Sequence, residues 1–412
     1  MQKKWQVGSL FGIPFFIDRS WFLILVLVTT TDANSPEVQR IAGSDAMALV
    51  FGLVMALLLF ASVLLHELGH SLVAKAQGIE VKSITLFLFG GIASIERESK
   101  TPREAFSVAI AGPLVSFALF GFCWVVRHFT PEASILHFLA ADMLRINLIL
   151  ALFNLIPGLP LDGGQMLKAI IWQGTGDRLR GVQYAAASGK FLGTLAIALG
   201  LLALLLANEF GGLWVSLLGW FILRNADAYE RFTGLQNLLL SLKAKDAMGR
   251  DFRVVDAHLS LADFTNKYVV ANPKPSQVIF ASSEGRYRGL IRMAALQKIE
   301  RSQWDKMEMK EIAIPLSEIP SVTEETNLAT IICLLETLED NFVTVLSPAG
   351  AVAGVIDRAL IIQAIAKEYD MEIPAADIQK LRNERVYPKS FPIADIAQQL
   401  QAGLQAENQE KA

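Results

Sequence analysis

Residues 46–65 (AMALVFGLVMALLLFASVLL) carry no charge and run straight into His66-Glu67-Leu68-Gly69-His70. About 20 apolar residues is the length that crosses the hydrocarbon core of a bilayer. Ionisable side chains at membrane depth are costly and are kept for function. On a helix, residues four apart share a face, so His66 and His70 can ligate one metal ion. Glu67 stands beside that face, where it can serve as general base toward a metal-activated water. Two solvated histidines on a surface helix would show the same spacing, but not at the end of an apolar span. A purely structural metal site would have no use for the adjacent carboxylate.

The rest of the chain fits a membrane setting for that motif. Of 412 residues, 53% are hydrophobic and 19% charged, with a mean hydropathy of +0.41. Soluble domains carry nearer a quarter charged residues. The apolar excess lies in the first half, which predicts a membrane region followed by a soluble one. Uncharged stretches at 46–65, 105–126, 146–161 (extended upstream by 135–141), 191–208 and 210–223, together with the apolar stretch 16–31, predict about six spans. Asp18 and Arg19 interrupt the first stretch and no small-x-small site follows it, so it is expected to be a retained membrane segment rather than a cleaved signal. Lys3 and Lys4, then Lys75, Lys82, Arg97, Lys100 and Arg103, then Lys168, Arg178 and Arg180, then Arg224 and Arg231 fall before, between or after these spans in every second loop, all on one side, while the alternate loops are poorer in basic residues. The positive-inside rule therefore predicts a multi-pass integral membrane protein with both termini cytoplasmic. The net charge of −3 gives no sign of a nucleic-acid partner. Cys123 and Cys333 are far apart, so neither a disulfide framework nor a cysteine metal site is expected.

Two histidines leave a catalytic zinc one protein ligand short. His128 and His137 fall toward the opposite membrane face, and His258 lies in the soluble half. Asp162, in NLIPGLPLDGGQ (154–165), is the better candidate, because the fourth span should return it to the side where the His66–His70 helix ends. Pro157 and Pro160 disrupt regular helix there, and Gly163 and Gly164 allow a tight turn behind the carboxylate. A plain interfacial carboxylate or helix cap is the alternative for Asp162. Asn154 is polar within an apolar run. Its amide suits either a substrate backbone or oxyanion, or a helix-to-helix hydrogen bond. Asn147 is read as packing.

With HELGH at 66–70, Phe89-Gly90-Gly91, Ala111-Gly112-Pro113 and NLIPGLPLDGG at 154–164, the chain resembles the site-2 protease family of intramembrane zinc metalloproteases over roughly 5–225. The resemblance implies His66, His70 and Asp162 as ligands of one Zn2+ and Glu67 as the catalytic acid/base. It also implies cleavage of a transmembrane substrate protein within the lipid bilayer. Residues 83–95 (SITLFLFGGIASI) read as a short membrane-associated β-hairpin. A substrate leaving its helical form could add a strand to the hairpin's edge, which makes Phe89, Gly90 and Gly91 candidate substrate-binding residues. A hairpin that only packs the site is the alternative.

Beyond Arg224 the composition changes. Residues 225–241 read as a helical linker. VIFASSEGRYRGLIRMAALQKI (278–299) and FVTVLSPAGAVAGVIDRALIIQAI (342–365) are two copies of a strand, turn, strand and helix pattern, with Gly289 and Gly354 in matching places. The region 242–368 resembles a tandem CBS pair. The expected fold is thus a polytopic α-helical membrane domain (1–224) plus an α/β tandem CBS domain, followed at 369–412 by a helix and tail. That resemblance implies a homodimer through the pair and an adenine nucleotide as ligand. However, the nucleotide-binding pattern is broken, with Asp357 and Leu360 in the second copy and Arg292 and Ala295 in the first where Thr and a ribose-binding Asp are usual. A dimerisation, docking or regulatory module is the plainer expectation. Two rival functions fit such an architecture: a CBS-regulated membrane transporter and a catalytically silent membrane scaffold. A transport path needs polar groups spread over several spans, whereas here they centre on HELGH and Asp162. The intact Glu67 speaks against a silent scaffold.

Overall fold

The computed structural model describes residues 5–411 apart from 88–89, 96–98, 133, 207–208, 271–277, 339, 385–386 and 388–392. The chain divides into two units, Met1–Gly234 and Leu235–Ala412.

The first unit opens with a hairpin of β1 (Trp5–Leu10) and β2 (Ile13–Ile17). Phe11 and Gly12 turn it with φ of +52° and +79°, the left-handed pair that a two-residue hairpin turn requires. Three helices follow: α1 (Arg19–Ala33), α2 (Pro36–Ala42) and α3 (Asp45–Ala76). They form the crossover that lets β3 (Val81–Phe87) pair parallel with β2. β4 (Gly90–Ile95) then pairs antiparallel with β3, and the sheet order β1-β2-β3-β4 leaves β4 on an edge. The hairpin expected at 83–95 is therefore half of a larger sheet. Its other half comes from residues expected to lead directly into the membrane. Gly8, Gly12 and Pro14 among aromatic and β-branched residues suit strand and turn there, not helix.

Among the described residues, four helices are long and apolar enough to cross a membrane: α3, α4 (Pro102–Phe129), α5 (Ile135–Asn154) and α7 (Arg178–Leu206). The first and last of the six expected spans are helical too, but differ in extent. α1 has 15 residues, about 22 Å, which is short of a hydrocarbon core of about 30 Å. The last span is the first part of α8 (Gly211–Ser241), which continues without a break through the expected linker at 225–241. The fourth span stops at Asn154 instead of reaching 161, because Pro157 and Pro160 forbid further α-helix. After it comes α6 (Asp162–Thr175).

α3 is 32 residues long, about 48 Å, so the apolar span and the HELGH motif form one continuous helix. Gly52 brings α1 close, since a β-carbon there would collide with the Thr29 carbonyl. Gly69 does the same for α4, where a β-carbon would lie 3.0 Å from the Ala111 carbonyl oxygen. Thr101 and Glu104 close a reciprocal capping box at the start of α4.

The second unit holds two copies of one pattern. After α9 (Ala244–Ala247), the first copy is β5 (Phe252–Asp256), α10 (Leu261–Phe264), β6 (Val278–Ser283), β7 (Arg286–Ile291) and α11 (Met293–Gln297). After α12 (Met309–Ile312), the second is β8 (Ser321–Thr323), α13 (Leu328–Thr337), β9 (Phe342–Leu346), β10 (Val352–Asp357) and α14 (Arg358–Glu368). Each sheet pairs its first two strands parallel and its last two antiparallel. The copies exchange backbone reciprocally. The residue ahead of the first, Gly249, bonds both ways with Val355 of β10 at 2.9 Å, and the residue ahead of the second, Ile314, bonds both ways with Leu290 of β7 at 2.8 and 2.9 Å. Gly289 stands where a side chain would strike the Ile314 carbonyl, and Gly354 where one would lie 2.9 Å from the Gly249 carbonyl oxygen. The two glycines noted in the sequence are the close-approach points of this exchange. Asp357 caps α14, accepting from the Leu360 N–H at 2.7 Å, and its other oxygen pairs with Arg382 at 3.2 Å.

The C-terminal region holds more structure than a helix and tail. α15 (Ala375–Glu384) and α16 (Ile393–Lys411) are both helical, and Ile393, Ile396 and Ala397 are buried in a core shared with Leu328, Ile331 and Leu335 of α13. The spacing of those three residues and Leu400 is the apolar stripe of an amphipathic helix.

Candidate metal centre

His66 and His70 lie one turn apart on α3, and both rings are buried. Asp162 is the first residue of α6. Its Oδ2 stands 3.0 Å from His66 Nε2 and 3.3 Å from His70 Nε2, and the two Nε2 atoms are 3.3 Å apart. The three ligands expected from sequence are thus brought to one point.

The outer nitrogens of both rings are held by α4. His70 Nδ1 donates to the Val108 carbonyl at 2.7 Å. That fixes the tautomer and leaves the Nε2 lone pair facing inward. His66 Nδ1 contacts Ser116 Oγ at 2.8 Å. Between Val108 and Ser116, four residues from each, Gly112 presents bare backbone: a β-carbon on it would lie 2.6 Å from His66 Nε2 and collide with His70 Nε2. Val108, Gly112 and Ser116 share one face of α4, two supporting the rings and one clearing the space before them.

That space fits zinc. Two imidazole nitrogens and a carboxylate oxygen converge on one point, a donor set suited to a bound cation. Tetrahedral zinc with ligands at about 2.0–2.1 Å sets neighbouring ligand atoms about 3.3 Å apart. The observed 3.0–3.3 Å triangle matches that edge, and two imidazoles with one carboxylate leave a fourth position open, as in catalytic sites.

Asp162 is delivered by an irregular segment, 155–161, between α5 and α6. Lipid tolerates such backbone only where its polar groups are satisfied. Here the Gly158 N–H donates to Ile156 O at 2.8 Å, Leu161 N–H to Gly158 O at 3.0 Å, and Leu159 N–H to Ala185 O of α7 at 3.0 Å, while Ser188 bonds the Pro157 carbonyl. Gly163 and Gly164 do not turn the chain, as their place in the sequence suggested. Both are helical and buried, and both are small because α6 presses on this segment: a β-carbon on Gly164 would lie 2.6 Å from Gly158 O, and one on Gly163 2.5 Å from Ile156 O.

Glu67 projects toward β4. A β-carbon on Gly91 would come within 2.5 Å of Glu67 Cγ. Gly91 is thus beside the site and Gly90 begins the same strand, while Phe89 lies outside the described residues. Asn154, the last residue of α5, places Nδ2 3.4 Å from His66 Nε2. Asn147, two turns earlier, donates to Ser62 Oγ at 3.1 Å and ties α5 to α3. His128 and His137 do not join the ligand cluster. Sequence reasoning missed Val108, Ser116 and the purpose of Gly112; only the last sat in a noticed motif.

The fold and site define a membrane zinc metalloprotease. The chain matches the model of peptidase family M50 over residues 54–143 and 130–199. A relative from Synechocystis sp., named as a candidate zinc metalloprotease, is 40% identical over 366 residues, 89% of this chain and 96% of its own length. The chain belongs to peptidase family M50, the site-2 proteases. A solved site-2 protease from Methanocaldococcus jannaschii is 30% identical and covers 56% of this chain and 96% of its own, with a TM-score of 0.41. The CBS domain of a bacterial CNNM/CorC-family Mg2+ transporter matches 35% of this chain and 85% of its own at 16% identity, with a TM-score of 0.28.

Proposed function

We propose that the chain is an intramembrane endopeptidase that cuts transmembrane segments of membrane-anchored proteins, with His66, His70 and Asp162 holding the zinc and Glu67 moving the protons. One observation carries this reading: two histidines on a helix that is itself an apolar span converge with Asp162 of α6 as three metal donors, with a carboxylate one residue from the first of them. Bound there, zinc supplies Lewis-acid polarisation of a peptide carbonyl and makes water acidic enough to attack at neutral pH. Glu67 takes the proton from the attacking water and gives it to the leaving amine. The Asn154 amide is within reach to donate to charge that develops on the carbonyl oxygen. A substrate segment adds to the free edge of β4 at Gly90 and Gly91.

The charge pattern of the loops supports several crossings, six by our reading, with both termini cytoplasmic. We assign 1–224 to the protease, 225–241 to a link, 242–368 to a tandem CBS-type pair and 369–412 to its C-terminal helices. The pair is a regulatory or dimerisation module. An adenine nucleotide is the weaker ligand assignment, since the Asp357 carboxylate already occupies the N-terminus of α14.

The test is zinc content and cleavage of a transmembrane substrate by wild type and Glu67→Gln in liposomes. Both should bind about one zinc and only the wild type should cut. Cleavage by the variant would remove Glu67 from its role, and absence of zinc from both would remove the metal site.

A further inference from the structure

Lys168 lies on α6 two turns beyond Asp162 and is 4% exposed. A buried ammonium is expensive unless its donors are met. Its Nζ donates to Tyr229 Oη on α8 at 3.1 Å and stands 5.5 Å from the centre of the same ring. Tyr229 also packs on a cluster formed by Leu159, Val182, Ala185, Ala186 and Ala226. Leu159 belongs to the irregular segment that leads into Asp162, and its N–H is bonded to Ala185. Tyr229 thus braces both approaches to the carboxylate, the loop before it through packing and the helix after it through Lys168. α8 is itself fixed to α7 by Lys190, which reaches Asp227 at 3.2 Å and Glu230 at 2.5 Å.

We infer that Lys168 and Tyr229 are a positioning pair that sets Asp162 against the two histidines. The inference rests on the reading of Asp162 as a zinc ligand. α6 has 14 residues and its first turn lacks a side-chain cap. Its placement therefore comes from tertiary contacts, and the buried pair is directional where the surrounding packing is not. A small shift of α6 would open the 3.0–3.3 Å ligand triangle and weaken metal binding before it disturbed substrate contacts on β4.

The experiment measures zinc affinity of the full-length protein in detergent or nanodiscs by chelator competition, for wild type, Asp162→Ala, Lys168→Met and Tyr229→Phe, together with kcat and KM at saturating zinc. Tyr229→Phe keeps the ring and removes only the acceptor, so it reads the contact even if Lys168→Met does not fold. The expected result is loss of tight zinc binding in Asp162→Ala and a zinc Kd raised about ten-fold or more in Lys168→Met, the scale of outer-sphere effects on metal sites. A smaller rise is expected in Tyr229→Phe, with KM for substrate unchanged. If Asp162→Ala loses zinc but neither other variant changes Kd, the positioning role is overturned and the ligand assignment stands. If Asp162→Ala keeps zinc at wild-type affinity, the ligand assignment falls and the positioning role with it.

Discussion

Gly112 faces His66 across the metal site so closely that a β-carbon on it would fall 2.6 Å from His66 Nε2. The space it leaves is on the side of the rings where a metal must sit. Gly112→Ala is therefore expected to abolish zinc binding rather than merely loosen packing. α4 elsewhere is unaffected, and alanine favours helix over glycine by up to about 1 kcal/mol. Metal analysis of the purified variant, with circular dichroism to show an intact helical fold, checks this. A full zinc complement would show that the space lies elsewhere.

His66 is oriented by Ser116 at 2.8 Å, and Ser116 is fully buried. Removing the hydroxyl in Ser116→Ala takes away the partner of His66 Nδ1 and frees the ring to rotate or change tautomer. Loss of such a partner costs about 10–100-fold in metal affinity or activity. Zinc titration against a chelator should show that loss, and Ser116→Thr should recover part of it if the pocket admits the extra methyl. His70, held by a backbone carbonyl, offers no equivalent side-chain deletion.

The candidate motif on α3 was legible because chemistry fixes its residue types and a helix fixes their spacing: the proposed ligands His66 and His70, and Glu67 beside them, need only one turn of α3 to meet. Asp162 was legible through proline, which breaks α5 and so predicts an irregular return. Ser116 and Val108 were not. Ser116 reads as any small residue in a span, and Val108 contributes only its carbonyl, so nothing in either residue type reports the contact. The β1–β2 hairpin was hidden for a different reason: its apolar residues continue into α1, and composition alone does not separate strand from span. The stripe Ile393, Ile396, Ala397 and Leu400 was readable at helical spacing, but the polar residues between and after those positions hid it.

β4 meets the catalytic helix at Gly91, where a β-carbon would lie 2.5 Å from Glu67 Cγ and 3.1 Å from Cδ. Gly91→Ala should push the Glu67 carboxylate from its place without touching His66, His70 or Asp162. Zinc content should stay at the wild-type level while kcat falls, by about 10²-fold if the carboxylate moves by an ångström. Equal loss of zinc and activity would mean that β4 supports the metal ligands themselves. An unchanged kcat would place the working carboxylate in another conformation.

Ile396 is 3% exposed and lies in one core with Ile331, Ile332 and Leu335 of α13. α16 thus completes the second copy instead of trailing from it. Ile396→Ala removes a buried side chain and leaves a cavity, which should cost about 2–5 kcal/mol. The loss belongs to the second unit, so hydrogen exchange in the full-length protein should rise over α13 and α16 while α3 and α6 keep their protection. Zinc binding should not change, because His66, His70 and Asp162 belong to the other unit. Protection of α13 equal to wild type would mean that α16 adds little to the stability of the copy, and 369–412 would then be the dispensable tail that its polar composition suggests.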